Sequence, residues 1–268
     1  MTRTSRAPAH ASGTTVALAL GVAAAAWLTL VLGVHGHGAA ADAAAHHGPR
    51  SHAPAWRGVG LALAGWALMV LAMMLPPAVP LIGLLAQLTR RRPRSLLALL
   101  AGLAAFVGVW IVVGVVLVTG DVVVDRVLGT TVGGTPVRLA GALVLVAGLY
   151  QFAPVKQACL TACRSPRWFA LRFWCGRAAV PESAALAGAY GVSCVGCCWA
   201  LMLLGLGVGA LALPVMVALA VLMAAERLVP GRVVAILVPA TGVTLVAAGL
   251  ALLIGVVPDA LVHPFLGA

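Results

Sequence analysis

The chain has 268 residues, of which 63% are hydrophobic and 9% charged, and its formal net charge is +11. Its mean hydropathy of +1.11 means more apolar surface than a soluble core could bury, which excludes a water-soluble globular fold. A positive charge of this size suggests nucleic acid in a soluble protein, but here the basic residues fall between apolar stretches and specify topology. We therefore predict an all-α, polytopic transmembrane helix bundle whose partner is the lipid bilayer, with no nucleic-acid partner.

About seven apolar stretches approach the ~20 residues that a membrane-spanning helix requires. They cover residues 14–34, 58–88, 95–118, 137–153, 184–208, 211–229 and 233–257. Prolines interrupt the second stretch and end the fourth and sixth, so kinks and half-spans are expected at these points. The prolines are Pro76, Pro77, Pro80, Pro154 and Pro230.

The basic residues also orient the bundle. If the N-terminus is cytoplasmic, most of the 17 Lys and Arg side chains fall on the inside, so the positive-inside rule predicts an N-in, C-out topology in a bacterial cytoplasmic (inner) membrane. The first stretch is preceded by Arg3 and Arg6, as in a signal peptide, but it is longer than the usual apolar core of about 7–15 residues. We expect an uncleaved helix, with a cleaved signal peptide as the alternative.

This topology divides the chain into three parts. Residues 1–57 hold the first helix and an external His-rich loop, residues 58–257 form the embedded bundle, and residues 258–268 form a short external tail. A flexible, imidazole-rich loop collects divalent metal in some proteins, and an unstructured loop without a metal is the alternative. Its histidines are His35, His37, His46, His47 and His52.

The fifth stretch contains three cysteines within five residues. At 100° per residue, Tyr190, Cys194, Cys197, Cys198 and Met202 fall within an arc of about 140°, so three thiols and a thioether share one helix face. Buried cysteine is often a small apolar residue that only packs. The spacing leaves a sulfur ligand set and simple packing both open.

A second group follows the fourth stretch, where Tyr150 and Gln151 precede Lys156, Cys159 and Cys163. If a helix resumes after the proline, the two cysteines stack on one face, with the lysine one turn earlier. The predicted topology places them at the cytoplasmic surface, where thiols stay reduced and a nearby cation favours thiolate. Solvent-facing thiols in a basic loop are the alternative.

A methionine pair lies just before the first proline break. Met69 and Met73 are four residues apart, and Trp66 lies near their face. A methionine stripe is commonly core filler, but opposite a cysteine stripe it becomes a candidate set of soft-metal ligands. Near the inner end of the sixth stretch, Glu226 is expected either to pair with Arg227 or to line a pathway.

Together these segments resemble a bacterial family called predicted metal-binding integral membrane proteins, which is catalogued as a domain of unknown function. The resemblance runs from about residue 60 to about 232 and implies metal binding through Met and Cys residues. Its motifs are Trp66-x-x-Met69-x-x-x-Met73-Met74-x-Pro76, Tyr150-Gln151-x-x-Pro154-x-Lys156-x-x-Cys159-x-x-x-Cys163-Arg164-x-Pro166, and Cys194-x-Gly196-Cys197-Cys198-Trp199-x-x-Met202.

Thiolate and thioether ligands select soft ions, above all Cu(I). We therefore predict a non-enzymatic membrane protein that binds or transports copper, with a metal chaperone or metalloenzyme as its partner. Zinc is disfavoured because the apolar stretches lack its usual Cys and His spacings, and no phosphate-binding loop indicates ATP-driven pumping. The alternatives are a thiol–disulfide electron transducer between Cys159/Cys163 and the Cys194 group, and a structural or assembly subunit.

Overall fold

The computed structural model describes residues 10–35, 55–128, 136–206 and 212–255, and every secondary-structure element within these ranges is a helix. The predicted all-α class is therefore confirmed. The helices are α1 (His10–His35), α2 (Ala55–Met74), a 3₁₀ turn (Pro76–Ala78), α3 (Val79–Thr89), α4 (Ser95–Leu128), α5 (Pro136–Tyr150), α6 (Pro154–Cys163), α7 (Pro166–Phe173), α8 (Ala179–Leu206), α9 (Ala212–Leu228) and α10 (Gly231–Leu253).

Four of these helices contain segments long and apolar enough to cross a membrane. Two further pairs pass the same test together but are bent, by 53° between α2 and α3 and by 67° between α5 and α6, which gives up to six spans in the described part of the chain. The bends confirm the breaks expected at the prolines. About seven spans were predicted, and α9, with 17 residues, is the predicted span that is not among these six. The four segments are Gly13–Leu32, Ser95–Gly120, Ala179–Leu204 and Gly231–Leu253.

Helix α8 lies at the centre of the bundle. Of its spanning segment 56% is buried, compared with 28% for α4, 22% for α10 and 11% for α1. It packs against α4, α5, α6, α7 and α9. The outer helices instead expose apolar side chains such as Val112 on α4 and Ile236 on α10, as expected where lipid replaces water.

Helices α5 and α10 pack almost backbone to backbone. A Cβ atom at Gly148 would lie 2.6 Å from the Val246 amide nitrogen, and one at Gly249 would lie 2.5 Å from the Leu145 amide nitrogen. Only glycine fits at these crossing points, in the manner of small-residue helix interfaces in membranes.

Two basic residues that the topology count placed at helix ends are buried in the protein. The exposed fraction is 0% for Lys156 and 6% for Arg227, so these cations belong to the interior and do not only mark a membrane surface. The alternative of solvent-facing thiols is wrong for Cys163, since the chain after the bend before α6 carries this residue into the core, where 3% of it is exposed. The external loop with His37, His46, His47 and His52, and the tail 258–268, lie outside the described residues.

Candidate metal centre

Three thiols on α8 converge on one nitrogen atom. The Nη2 atom of Arg227, at the end of α9, donates to the Sγ atoms of Cys194 at 3.0 Å, Cys197 at 3.2 Å and Cys198 at 3.4 Å. All three cysteines are buried and carry free thiols. The one-face stripe predicted from the helical period therefore exists, and its focus is a guanidinium group.

A methionine from the broken second span completes the sulfur group. The Sδ atom of Met74 lies 3.9 Å from Cys194 Sγ and 3.8 Å from Cys198 Sγ. The predicted ligands Met69, Met73 and Met202 are buried in the same core. Because α2 ends at Met74, just before the proline turn, its last residue reaches the stripe directly.

The second cysteine group reaches the stripe through Cys163, whose Sγ atom lies 3.9 Å from Cys197 Sγ. Cys159, on the same face of α6, is half-buried, and it packs on Gly196, where a Cβ atom would lie 2.5 Å from the Cys159 sulfur. We therefore find one thiol of the predicted pair at the centre and the other beside it.

Two tyrosines form hydrogen bonds between α8 and the segment that contains α5 and α6. Tyr150 donates its hydroxyl proton to the carbonyl oxygen of Gly196 at 2.5 Å, and Tyr190 donates to the carbonyl oxygen of Cys163 at 3.1 Å. The first bond joins the end of α5 to α8, and the second joins α6 to α8. The third predicted aromatic, Trp66, donates its ring N–H to the Trp110 carbonyl oxygen at 2.7 Å, which anchors α2 to α4.

A buried ion pair borders the thiol group. Lys156 Nζ lies 2.8 Å from Glu226 Oε2, and both side chains are almost completely buried. Glu226 therefore pairs with Lys156, and of the two roles expected for it, pairing with Arg227 is wrong. Consecutive helical residues point about 100° apart, so Glu226 faces α6 while Arg227 faces α8.

Arg164 closes the end of α9. Its Nη1 and Nη2 atoms donate to the carbonyl oxygens of Glu226 and Val229, each at 2.6 Å. These carbonyls have no partner further along the helix, so a guanidinium at the C-terminus satisfies them and complements the helix dipole. Arg164 thereby holds the segment that presents Glu226 and Arg227 to the centre.

The arrangement offers soft donors, but a cation of the protein occupies their focus. Among the described residues, no three Cys, His, Asp or Glu side chains are grouped so that they could hold a metal ion as they stand. Metal–thiolate bonds are short, about 2.3 Å for zinc, whereas these sulfurs lie 3.0 to 3.4 Å from the nitrogen. A metal ion would need Arg227 to withdraw and the thiols to close in.

Several buried polar atoms at the centre have no hydrogen-bond partner among the residues that the structure describes. They are Arg227 Nη1, Glu226 Oε1 and Gln151 Oε1. The Gln151 side chain is buried, and its backbone oxygen accepts a bond from the Gln157 side chain at 3.1 Å. Unsatisfied buried groups are costly, so Glu226 Oε1 and Arg227 Nη1 are each available for one new partner, while the other atom of each group stays engaged.

Sequence reasoning missed three contributors, namely Arg227, Met74 and Arg164. In the sequence, Arg227 is a candidate partner of Glu226 and not of the thiols, and Met74 and Arg164 occur within the motifs without an assigned role. A basic residue directly beside an acidic one at the end of an apolar stretch was the available signal for Arg227, since isolated charges near the bilayer interior require partners.

Comparison with known proteins adds one finding. The family model PpoB2, described as a copper chaperone, matches residues 63–252, a range that contains all three sequence motifs. No curated protein and no solved structure matches the chain. The matched family supports copper association, and it does not carry the name of the family recognised from the motifs.

Proposed function

Since the chain belongs to the PpoB2 family of copper chaperones, we propose that it binds Cu(I) within the bacterial inner membrane and passes it to a copper-accepting partner. The observation that supports this most directly is the convergence of three buried thiols, with the Met74 thioether beside two of them. Such a donor set, without carboxylate or imidazole, suits Cu(I) best. The finer resemblance to predicted metal-binding integral membrane proteins is consistent with this function.

In this proposal Cys194, Cys197 and Cys198 are the primary ligands. Met74 and Met202 supply thioethers from α2 and α8, and Met69 and Met73 extend the sulfur surface along α2. Cys163 is the transfer thiol, because it lies against Cys197, and Cys159, half-exposed on the same helix, receives or delivers the ion on the cytoplasmic side. The proposed function is the binding and transfer of an ion, with no chemical conversion of a substrate. We therefore infer no enzymatic activity.

Arg227 holds the thiols before copper arrives. A monovalent guanidinium neutralises thiolate charge in an interior where an unpaired anion is strongly disfavoured. Arg227 keeps its charge when it withdraws, so the arrival of monovalent Cu(I) leaves the net charge of the centre unchanged because one thiol releases its proton as it binds the ion. Tyr150 and Tyr190 keep the two cysteine segments in register during the exchange.

Metal analysis of purified protein tests the proposal. The full chain is prepared reduced and anaerobically, loaded with Cu(I) and washed with a chelator, beside the variant Cys194→Ser with Cys198→Ser. Serine changes the volume little, so we expect the variant to fold but to lose its copper. Cys175→Ser is the matched control, because Cys175 is an exposed thiol away from the centre. Full copper content in the double variant would refute the proposal.

The contact between Cys163 and Cys197 at 3.9 Å also favours a second candidate, thiol–disulfide electron transfer. Here the two thiols form a disulfide while the disulfide of a second protein is reduced, so two electrons and two protons pass to that protein. Thiol trapping under turnover separates the candidates. A reversible Cys163–Cys197 disulfide supports transfer, and thiols that remain reduced throughout copper loading support metal binding.

We propose an N-in, C-out orientation for the bundle, from the distribution of basic residues. A reporter fused at the C-terminus should then be external, and one inserted near Arg92 should be cytoplasmic. The opposite pair of results would move Cys159 and Cys163 to the outer face, so that copper would enter or leave the centre from that side.

A further inference from the structure

A groove at one end of the bundle is lined by three arginines. Arg92 and Arg94 come from the turn between α3 and α4, Arg177 comes from the turn before α8, and the groove has a volume of about 290 Å³. All three side chains are exposed, and no carboxylate of the described residues forms an ion pair with them. The groove is therefore an open, positively charged concavity.

The acidic residue next to Pro181 of the groove lining is already engaged. Glu182 accepts hydrogen bonds from four consecutive backbone N–H groups, those of residues 175–178, at 2.7 to 3.0 Å. This carboxylate therefore satisfies the donors ahead of α8, and an anion in the groove would be bound by the guanidinium groups. Even with Glu182 included, the groove keeps an excess of positive charge.

The groove lies where membrane-spanning segments begin and end. The bent pair α2 and α3 ends at Thr89, while spans begin at Ser95 and Ala179, so its two turns lie at a bilayer surface. The Arg92 side chain also packs on Gly176, in the turn before α8. A Cβ atom at Gly176 would lie 2.5 Å from the Nη2 atom of Arg92. Helix α7 leads directly into this turn.

Helix α7 has the character of an interfacial helix. Its side chains Trp168 and Leu171 are 51% and 88% exposed, and Arg172 stacks over the Trp168 ring with its Cζ atom 5.8 Å from the ring centroid. Exposed apolar and aromatic side chains on a short basic helix are typical of a helix that lies in the headgroup region. The groove and α7 are thus adjacent, and together they expose basic, aromatic and apolar side chains.

The backbone at Arg94 adds an independent point. Its φ angle is 58°, a left-handed backbone conformation that residues other than glycine and asparagine rarely adopt. Glycine would fit this turn better on conformational grounds alone. A long cationic side chain is present there at a conformational cost, as often occurs at binding sites.

We propose that the groove formed by Arg92, Arg94 and Arg177 binds the phosphate headgroup of an anionic phospholipid. Guanidinium groups bind phosphate oxygens through paired, charge-assisted hydrogen bonds, and basic pockets between membrane helices bind acidic headgroups. The volume of the groove is near the lower limit for small-molecule sites and suits a headgroup, with the acyl chains lying outside against α7. This site is separate from the thiol centre.

The test uses the full chain in detergent and short-chain phosphatidylglycerol as the probe, with short-chain phosphatidylcholine and inorganic phosphate as competitors. We expect phosphatidylglycerol to bind and the two competitors not to displace it at equal concentration. Each removed arginine should weaken binding about fivefold, so Arg92→Gln with Arg177→Gln should lose roughly 25-fold. Arg94→Gly removes a charge while relieving the backbone, so it should fold normally and still bind less tightly.

The matched control is Arg90→Gln with Arg91→Gln, which removes two exposed charges from the same turn without altering the groove. It should reduce phosphatidylglycerol binding less than threefold. Equal losses in the two double variants would overturn the site, because general surface charge would then explain the binding. Displacement by inorganic phosphate would also overturn it, since the groove would then bind free phosphate and not lipid. Copper loading is measured in parallel and should be unchanged.

Discussion

The Arg227 guanidinium lies 3.0 Å from the Cys194 sulfur, and two further thiols share the same nitrogen. A cation of the chain therefore occupies the point at which a metal ion would gain three sulfur ligands. Delivery of copper to this centre requires displacement of that cation, which makes loading a competition between two positive charges for one set of thiols.

Replacing Arg227 with Gln should speed Cu(I) loading. The variant keeps the sulfurs but removes charge-assisted hydrogen bonds, each worth about 1.5–3 kcal/mol, so a rate increase of at least about tenfold is expected. Stopped-flow loading from a buffered Cu(I) donor measures it. Arg232→Gln, at the exposed start of α10, is the control. An unchanged or slower rate at full copper content would mean that Arg227 does not stand in the path of the ion.

Met74→Leu should weaken copper binding more than Met69→Leu or Met73→Leu. The Met74 sulfur lies 3.9 and 3.8 Å from the sulfurs of Cys194 and Cys198, while Leu preserves volume at each position. We expect about a tenfold loss of affinity for Met74→Leu, equal to ~1.4 kcal/mol. Competition with a Cu(I) chelator provides the measurement. Equal losses of affinity at all three positions would mean that the three methionines contribute alike and that Met74 has no special role.

Breaking the Lys156–Glu226 pair on one side should destabilise the bundle. Both side chains are buried and 2.8 Å apart, so Lys156→Met leaves a carboxylate without its partner at a cost of about 3–5 kcal/mol. Adding Glu226→Gln should recover much of that loss. Unfolding in mixed detergent micelles, followed by circular dichroism, gives the free energies. A double variant as unstable as the single one would show that the charge pairing is not the cause.

Gly196→Ala should separate α6 from α8. The new methyl carbon would lie 2.5 Å from Cys159 Sγ and 3.3 Å from Cys159 Cβ, so overpacking of about 1–3 kcal/mol is expected. Adding Cys159→Ala removes the closer atom and should restore stability. Gly188→Ala on the same helix is the control, because its methyl would meet nothing closer than 3.9 Å. Unfolding free energies in detergent distinguish the variants, and equal effects at Gly188 and Gly196 would contradict the packing argument.

Much of this molecule follows from short-range sequence patterns. Apolar length predicts the spanning helices, prolines predict the breaks at 53° and 67°, and the helical period places Cys194, Cys197 and Cys198 on one face. These features depend on residues within a few turns of each other, and backbone geometry relates such positions directly.

The chemistry at the centre depends on contacts between distant segments, and the tertiary structure alone decides them. Arg227 is 33 residues from Cys194, Glu226 is 70 residues from Lys156, and Met74 is 120 residues from Cys194. Which charge pairs with which, and which of several methionines meets the thiols, depends on where helices cross and how they are rotated. The sequence by itself determined the helices, the breaks and the sulfur face, whereas the packing of α2, α6 and α9 on α8 decided that a guanidinium stands at the focus of that face.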